Sequence, residues 1–428
     1  MSKLSVPQNI NYAAIVTTIK AINKLENCDN VVGVPVFGYQ PIMKNDVQVG
    51  DKIVVFFAET QLSPVFLKNN NLYRDASKNI DPEKTGYFED NGRVRAVKFR
   101  KQRSDAFALS IKSLDFTGFP TDKLDENDVF DVLNNVHICN KYIILSANSN
   151  IRRTSNRKVE ESRIDKRYFP EHFDTLHWLR KNGNIGSDAE LIVTQKLHGT
   201  SIRISHIPVQ RRLSWYEKLF KKFGLKIQET EYDHVFGSRR VIKDVNDKTQ
   251  QHYYHNDIWS KAGNEISHLI PHNFILYGEL IGWDDNTPLM RNYTYNVPQG
   301  HFSLYIYRIA VITHGARLIE LPWDHVKQFC KDNGLNHVPE LFRISKMEAM
   351  DGFLEGLMDI QYHGNTTWKF VDNPVPLSDK KTVDEGICIR VDEGFNTEIF
   401  KWKSPKFLEH ETKMMDSGEE SIEDSQNG

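Results

Sequence analysis

The sequence predicts an α+β protein in two parts, an N-terminal antiparallel β-barrel followed by a larger domain of antiparallel sheets with flanking helices. Three observations lead there. The first 145 residues break into short β-rich runs, at 12–19, 31–36, 52–57, 93–99 and 106–111, separated by turn signals such as Gly50-Asp51 and Asn91-Gly92. After residue 189 the apolar runs lengthen, as in Phe274–Gly282 and Phe302–Ile312, and segments of helical period join them. The chain has 428 residues, 39% hydrophobic and 26% charged, which suits two or three globular domains.

In chain order, residues 1–145 form the expected barrel. Its basic run, Arg93 to Arg103, interleaves six cations with apolar residues, so alternation can gather some of them on one face against a phosphate backbone. Residues 146–188 read as a basic linker with a short helix near Asp174 to Lys181; within them, 148–167 carry seven bases against three acids. Residues 189–410 form the larger domain. There, 211–226 has Tyr216, Leu219, Phe220 and Phe223 at helical spacing with lysines opposite, as in an amphipathic helix packed on its own domain. Residues 411–428 read as a disordered acidic tail.

Charge and cysteines narrow the classes. The net charge of -2 hides a gradient: residues 416–428 hold five acids and no base, so everything before them sums to +3 and permits a polyanionic partner. Cys28, Cys139, Cys330 and Cys388 show no paired spacing, so reduced structural thiols are expected. No apolar run approaches the roughly 18–20 residues that cross a bilayer, and Met1 to Ser5 begins no apolar signal core. An intracellular protein, cytoplasmic and away from membranes, is expected. Nothing demands more than a monomer.

The chemistry centres on Lys196-Leu197-His198-Gly199, which lies between the apolar strand Leu191-Ile192-Val193 and the alternating Ser201-Ile202-Arg203-Ile204. A lysine becomes nucleophilic when desolvation or nearby cations lower its pKa, and a strand end inside a pocket can arrange that. Downstream, Glu279 interrupts the apolar run Phe274–Gly282, where a carboxylate must be paired or bind something polar such as ribose hydroxyls. Tyr305 or Tyr307, in the next aromatic run, offers a ring for a purine. Asp384-Glu385-Gly386 puts acids at the mouth of a buried strand, a donor type suited to Mg²⁺. Lys401 and Lys403, two apart, share a strand face and can grip a phosphate.

Taken in this order, the chain resembles the covalent nucleotidyltransferase superfamily, and within it the ATP-dependent nick-sealing RNA ligases of the branch with an N-terminal OB-fold domain. The resemblance is strong over about 190–410 and looser over the first 145 residues; it includes 169–175, 212–215 and Val235 to Arg240. It implies that Lys196 attacks ATP to form a lysyl-AMP, that AMP passes to an RNA 5′-phosphate, and that a 3′-OH then seals the strand. It further implies that Gln195, Leu197, His198 and Gly199 line the nucleotide site and that Arg239 meets the ribose or the RNA 5′-phosphate. Glu279 would contact the ribose, Tyr307 would stack on adenine, and Lys401 and Lys403 would bind phosphate. Glu385 would organise the waters of Mg²⁺ or Mn²⁺. The partner implied is RNA with 3′-OH and 5′-phosphate ends, a nicked duplex favoured.

The sequence departs from the family pattern in places. His198 stands where the wider superfamily has aspartate, as nick-sealing RNA ligases accept, and this argues against a DNA ligase. Gln195 replaces a frequent glutamate, which leaves the base contact to its backbone. Tyr307-Arg308 stands where Phe-Asp is common, so Tyr305 remains an alternative stacker. A GTP-dependent capping enzyme is the rival within enzymes, but its C-terminal barrel does not fit in the about 25 residues after Lys403. A non-catalytic RNA-binding subunit is the rival outside them, yet Lys196, Glu279, Glu385, Lys401 and Lys403 are all present.

Overall fold

The computed structural model describes residues 4–144, 163–172, 174–181, 184–243, 253–349, 352–358, 367–379, 382–394 and 396–418. They fall into two compact units, one drawn from within 1–144, 176–184 and 403–419, the other from within 145–175, 185–402 and 420–428. Both mix strands with fewer helices. Among the described residues no helix is long and apolar enough to cross a membrane.

The first unit is built on strands β1 (Ala14–Thr18), β2 (Lys52–Phe57), β3 (Ala106–Ser110) and β4 (Val129–Phe130), hydrogen-bonded in the order β4-β1-β2-β3 with antiparallel neighbours. Strand β2 is apolar from Ile53 to Phe57 because both its faces are covered there. Val54 and Phe56 join one core with Phe66 and Phe130, while Ile53, Val55 and Phe57 join another with Ile15 and Ala108. Helix α1 (Pro64–Asn69) begins where Ser63 accepts the Phe66 N–H and proline takes the first turn.

Two expectations fail in this unit. Its pairings leave the sheet open, with no closed barrel among the described residues. The basic run is not one strand: Val97–Phe99 pairs with Gln102–Ser104 across a turn in which Arg100 and Lys101 have φ of 48° and 71°. Nor do its cations form a free row. Arg93 is buried against Glu59 (2.7 Å) and Asp416 (2.8 Å), Arg95 and Lys98 face Asp416 and Glu409, and Arg103 meets Asp105. The two acids of that group that lie beyond residue 405 come from a helix, Pro405–Asp416, that buries Thr412 and Met415. Helix therefore replaces the disordered tail expected from 411, and residues 419–428 lie outside the described ones. The linker at 146–162 lies outside them as well.

The second unit holds β5 (Glu190–Lys196), β6 (Thr200–Gln210), α2 (Trp215–Lys222), β7 (Thr230–Gly237), β8 (Ile242–Lys243), α3 (Ile258–Ile266), β9 (Phe274–Asp284), β10 (Phe302–Ile312), β11 (Leu318–Glu320), α4 (Trp323–Asp332), β12 (Glu340–Ser345), β13 (Gly386–Glu393) and β14 (Asn396–Lys403). One sheet runs β8-β7-β6-β9-β10-β11 and another β14-β13-β5-β12. The strands β5 and β6 that flank Lys196-Leu197-His198-Gly199 belong to different sheets, so this turn passes from one to the other. Gly199 is required there, since a Cβ would stand 2.2 Å from the Leu280 carbonyl oxygen. Helix α2, expected to pack on its own domain, has no buried residue.

Candidate active site

Register explains how the site assembles. Antiparallel pairing sets Lys196 opposite Gly386 and Thr194 opposite Cys388, and so brings Glu385, one residue before β13, beside the lysine. Lys196 Nζ lies 2.7 Å from Glu385 Oε1, and the other carboxylate oxygen faces His198 Nδ1 at 3.3 Å. The His198 ring stands edge-on to Tyr293, 4.6 Å between centroids, and its backbone N–H donates to Tyr295 Oη at 2.8 Å. In the other sheet Ser201 pairs with Glu279, whose carboxylate accepts from Gly199 N–H (2.9 Å) and Ser201 Oγ (3.3 Å). The half-buried charge in the β9 run is thus answered by the turn that carries the lysine.

The lysine turn and its neighbours in both sheets border one cavity. Gln195, Lys196, Leu197, Arg239, Glu279, Tyr307 and Lys401 line it, joined by His172, Ser201, Trp323, Cys388 and Arg390. Their charges converge on one point. The Cys388 thiol, pushed up to about 11 chiefly by burial, also feels Lys196, Glu385, Lys401 and Glu279. Tyr307 rather than Tyr305 reaches the cavity because β9 and β10 slip register between Tyr277 and Gly278, and such a bulge re-aims the side chain. His172 packs edge-on against Tyr307, 5.6 Å between centroids. Arg239 is held by Asp174.

One expected site residue, Lys403, stands elsewhere, and Glu385, His198 and Gly199 adjoin Lys196 or Glu279 without lining the cavity. Lys403 does not line the cavity; its ammonium is paired with Glu411 at 2.7 Å and lies over Phe407. Strand alternation gave it the face of Lys401, but the chain turns into the helix Pro405–Asp416 immediately afterwards. The Gln195 side chain is committed elsewhere: Nε2 donates to the Val375 carbonyl (3.0 Å) and Asp384 (3.2 Å), and Oε1 accepts the Val375 N–H (2.8 Å). Sequence reasoning assigned no role to His172, Trp323, Cys388 or Arg390. Alternation on β13 relates Cys388 and Arg390 to each other, but neither residue type announces a site.

A further residue organises the rim. Arg203, fully buried on β6, donates through Nε to the Ser238 carbonyl (2.7 Å) and through Nη1 to those of Phe169 (3.3 Å) and Pro170 (2.5 Å). Its guanidinium lies 4.4 Å over the Phe169 ring. It thereby ties the segment bearing His172 to the turn bearing Arg239.

Known proteins bear on this arrangement. Solved structures of Naegleria gruberi RNA ligase share the fold. A variant with ATP and manganese aligns at TM-score 0.57 and 14% identity over 95% of this chain and 99% of its own. The enzyme with pyrophosphate aligns at 0.56 and 17% over 94% and 98%. No curated protein matches the sequence. The RNA ligase family model, however, matches residues 189–403, half of the chain and the span that holds most of the cavity, so this chain belongs to the RNA ligase family.

Proposed function

We propose that the protein is an ATP-dependent RNA ligase that joins 3′-OH and 5′-phosphate ends, with a nicked duplex as favoured substrate, and that it acts as a cytoplasmic monomer. The observation that carries the reading is the convergence on one cavity of Lys196, the Glu279 carboxylate, an aromatic ring and a second lysine, with Glu385 paired to Lys196 beside it. The Naegleria enzyme, with the same fold, is known with ATP and manganese and with pyrophosphate, which supports placing a nucleotide here.

The geometry supports the following division of labour. Lys196 Nζ forms a bond to the α-phosphorus while the bond to pyrophosphate breaks, giving lysyl-AMP. The RNA 5′-phosphate oxygen then takes the AMP and frees the lysine; attack by the 3′-OH forms the phosphodiester and releases AMP. Such transfers ask chiefly for in-line positioning and for cations where charge develops. Lys401 supplies one at the α-phosphate. Tyr307, braced by His172, stacks on adenine, Glu279 accepts from the ribose hydroxyls, and Arg239 meets ribose or RNA phosphate. Leu197 walls the pocket, Gly199 lets the turn approach β9, and the backbone of Gln195 reads the base.

A divalent cation fits the donor set in one way. Among the described residues no cluster of three or more ligating side chains exists, but Mg²⁺ or Mn²⁺ commonly keeps its waters and leans on one carboxylate plus substrate phosphates. Glu385, with His198 beside it, would hold those waters, and the ion would neutralise phosphate charge. The open sheet of the first unit is read as the OB-fold-like part that grips RNA.

The test is covalent labelling. With α-labelled ATP and Mg²⁺ the denatured chain should carry label that Lys196→Ala abolishes, and the protein should then seal a nicked RNA duplex. Label from GTP alone would refute ATP dependence. Intact labelling with no sealing of any RNA would refute the substrate.

A further inference from the structure

The turn that carries the proposed nucleophile passes from one sheet to another, so its amides leave both ladders and need other acceptors. Glu279 takes the Gly199 N–H (2.9 Å), and the phenol oxygen of Tyr295 takes the His198 N–H (2.8 Å). Tyr295 is buried on the connection between β9 and β10. Its φ is 49°, in the left-handed region that a bulky side chain rarely enters, and Asn296 follows at 58°. Strain of this kind persists only where surrounding contacts hold it, and it gathers at functional sites. One such contact comes from Ser378, whose Oγ accepts the Asn296 N–H (2.7 Å) and lies 3.0 Å from Thr294 Oγ1.

The same connection reaches the other partner of the lysine. Tyr293, fully buried, donates its O–H to the Val383 carbonyl (2.8 Å), two residues before Glu385, and its ring meets that of His198 edge-on. Thr382 Oγ1 in turn donates to the Asn292 carbonyl (3.3 Å). Tyr295 thus holds the backbone of His198, Tyr293 packs against its ring, and Val383 ties in the approach to Glu385. Packing alone would ask for the Tyr295 ring and not for an oxygen set against one amide of the lysine turn.

We propose that Tyr295 is a positioning residue for adenylation. Its phenol oxygen fixes the His198 backbone so that the imidazole stays against Glu385, and Glu385 in turn keeps the Lys196 amine in place for the α-phosphorus. The inference rests on the ligase reading and adds to it a residue that does not line the cavity. Adenine, ribose and phosphate are assigned to other residues, Tyr307, Glu279 and Lys401. Loss of the phenol oxygen should therefore slow bond formation and leave ATP binding alone.

The experiment is single-turnover labelling of the full chain with α-labelled ATP and Mg²⁺ over a range of ATP concentrations, beside hydrogen–deuterium exchange. Tyr295→Phe keeps the ring and leaves the His198 N–H without its acceptor. The maximal rate should fall about tenfold, the worth of one hydrogen bond, while the ATP concentration at half that rate stays within about twofold. Exchange should quicken at the turn around His198 and not in the rest of β6 or in β10. Ser378→Ala, which frees the strained backbone from outside, should show the same split and add nothing to Tyr295→Phe. A parent-like rate in Tyr295→Phe overturns the proposal. So does a half-maximal ATP concentration that rises in step with the lost rate, or faster exchange throughout both sheets, since either marks a packing role only. Should Tyr295→Phe fail to fold, Ser378→Ala decides by the same readouts. No label on the parent breaks the ligase reading instead, while exchange at the turn still reports the contact.

Discussion

Replacing Arg203 by methionine separates the scaffold of the site from its chemistry. The substitution keeps most of the side-chain volume and strands three carbonyls, those of Phe169, Pro170 and Ser238. Each buried acceptor left without a donor costs about 1–3 kcal/mol. Loss of the contact with Phe169 adds about 1 kcal/mol. Against this, burial lowers the Arg203 pKa from 12.5 to about 10, so about 3 kcal/mol of desolvation is relieved when the charge is removed. The balance centres on about 4 kcal/mol of destabilisation, measurable as a shift in urea midpoint. Because the freed segments carry His172 and Arg239, Lys196 labelling by ATP should also fall more than tenfold at temperatures where circular dichroism shows the variant folded. Arg203→Lys, with one donor head in place of a fork, should fall between. Unchanged stability would refute the accounting. Lost stability with normal labelling would reduce Arg203 to a structural role.

Further outcomes follow from the same geometry. Lys401→Ala should slow Lys196 adenylation about a hundredfold in single-turnover labelling, whereas Lys403→Ala, which loses its pair with Glu411, should slow that step much less; equal losses would place Lys403 in the cavity. Burial, with the charges of His206 and His272, holds His234 below the ordinary 6.5 despite Asp233. The unfolded chain then binds more protons than the folded one, so stability present above pH 6.5 should be lost as pH falls below it, and His234→Gln should remove that component of the urea-midpoint pH profile. Cys388, raised from 9.0 to about 11, presents about a hundredfold less thiolate than an ordinary thiol, and mass spectrometry should find its iodoacetamide modification at pH 8 slower by a similar factor.

Much of the site is legible in the sequence because a charge in an apolar strand demands a partner. Glu279 in Phe274–Gly282 and Glu385 at the mouth of β13 stand out on that ground, and each meets the lysine turn. Buried arginines give no comparable signal. Arg203 sits in an alternating run that reads as solvent-facing, yet both sides of its strand are covered. The basic run 93–103 misleads for another reason: its turn falls on Arg100-Lys101, with no glycine or asparagine to announce it. Lys403 and the start of the acidic tail are decided by what the helix Pro405–Asp416 packs against, information that no local pattern holds. The apolar face of α2 is equally silent, since amphipathicity states that something covers a helix and not what.

In the proposed reaction Lys196 is the nucleophile, and its pairing with Glu385 has consequences there. A carboxylate at 2.7 Å favours the ammonium form, which cannot attack phosphorus, so the contact that positions the amine also restrains it. Release requires that Glu385 gain other partners or that cations crowd the amine. The site holds a group for each: His198 faces the second carboxylate oxygen at 3.3 Å, and Lys401 lines the same cavity as Lys196. This accounts for histidine two residues after the nucleophile. An aspartate there would set a like charge against Glu385 in a buried place, tolerable only with an added cation between them. Histidine instead lets a single carboxylate serve the lysine at rest, so His198→Asp should set a second carboxylate against Glu385 and make adenylation depend more steeply on divalent cation concentration. An unchanged dependence would show that Glu385 does not feel residue 198.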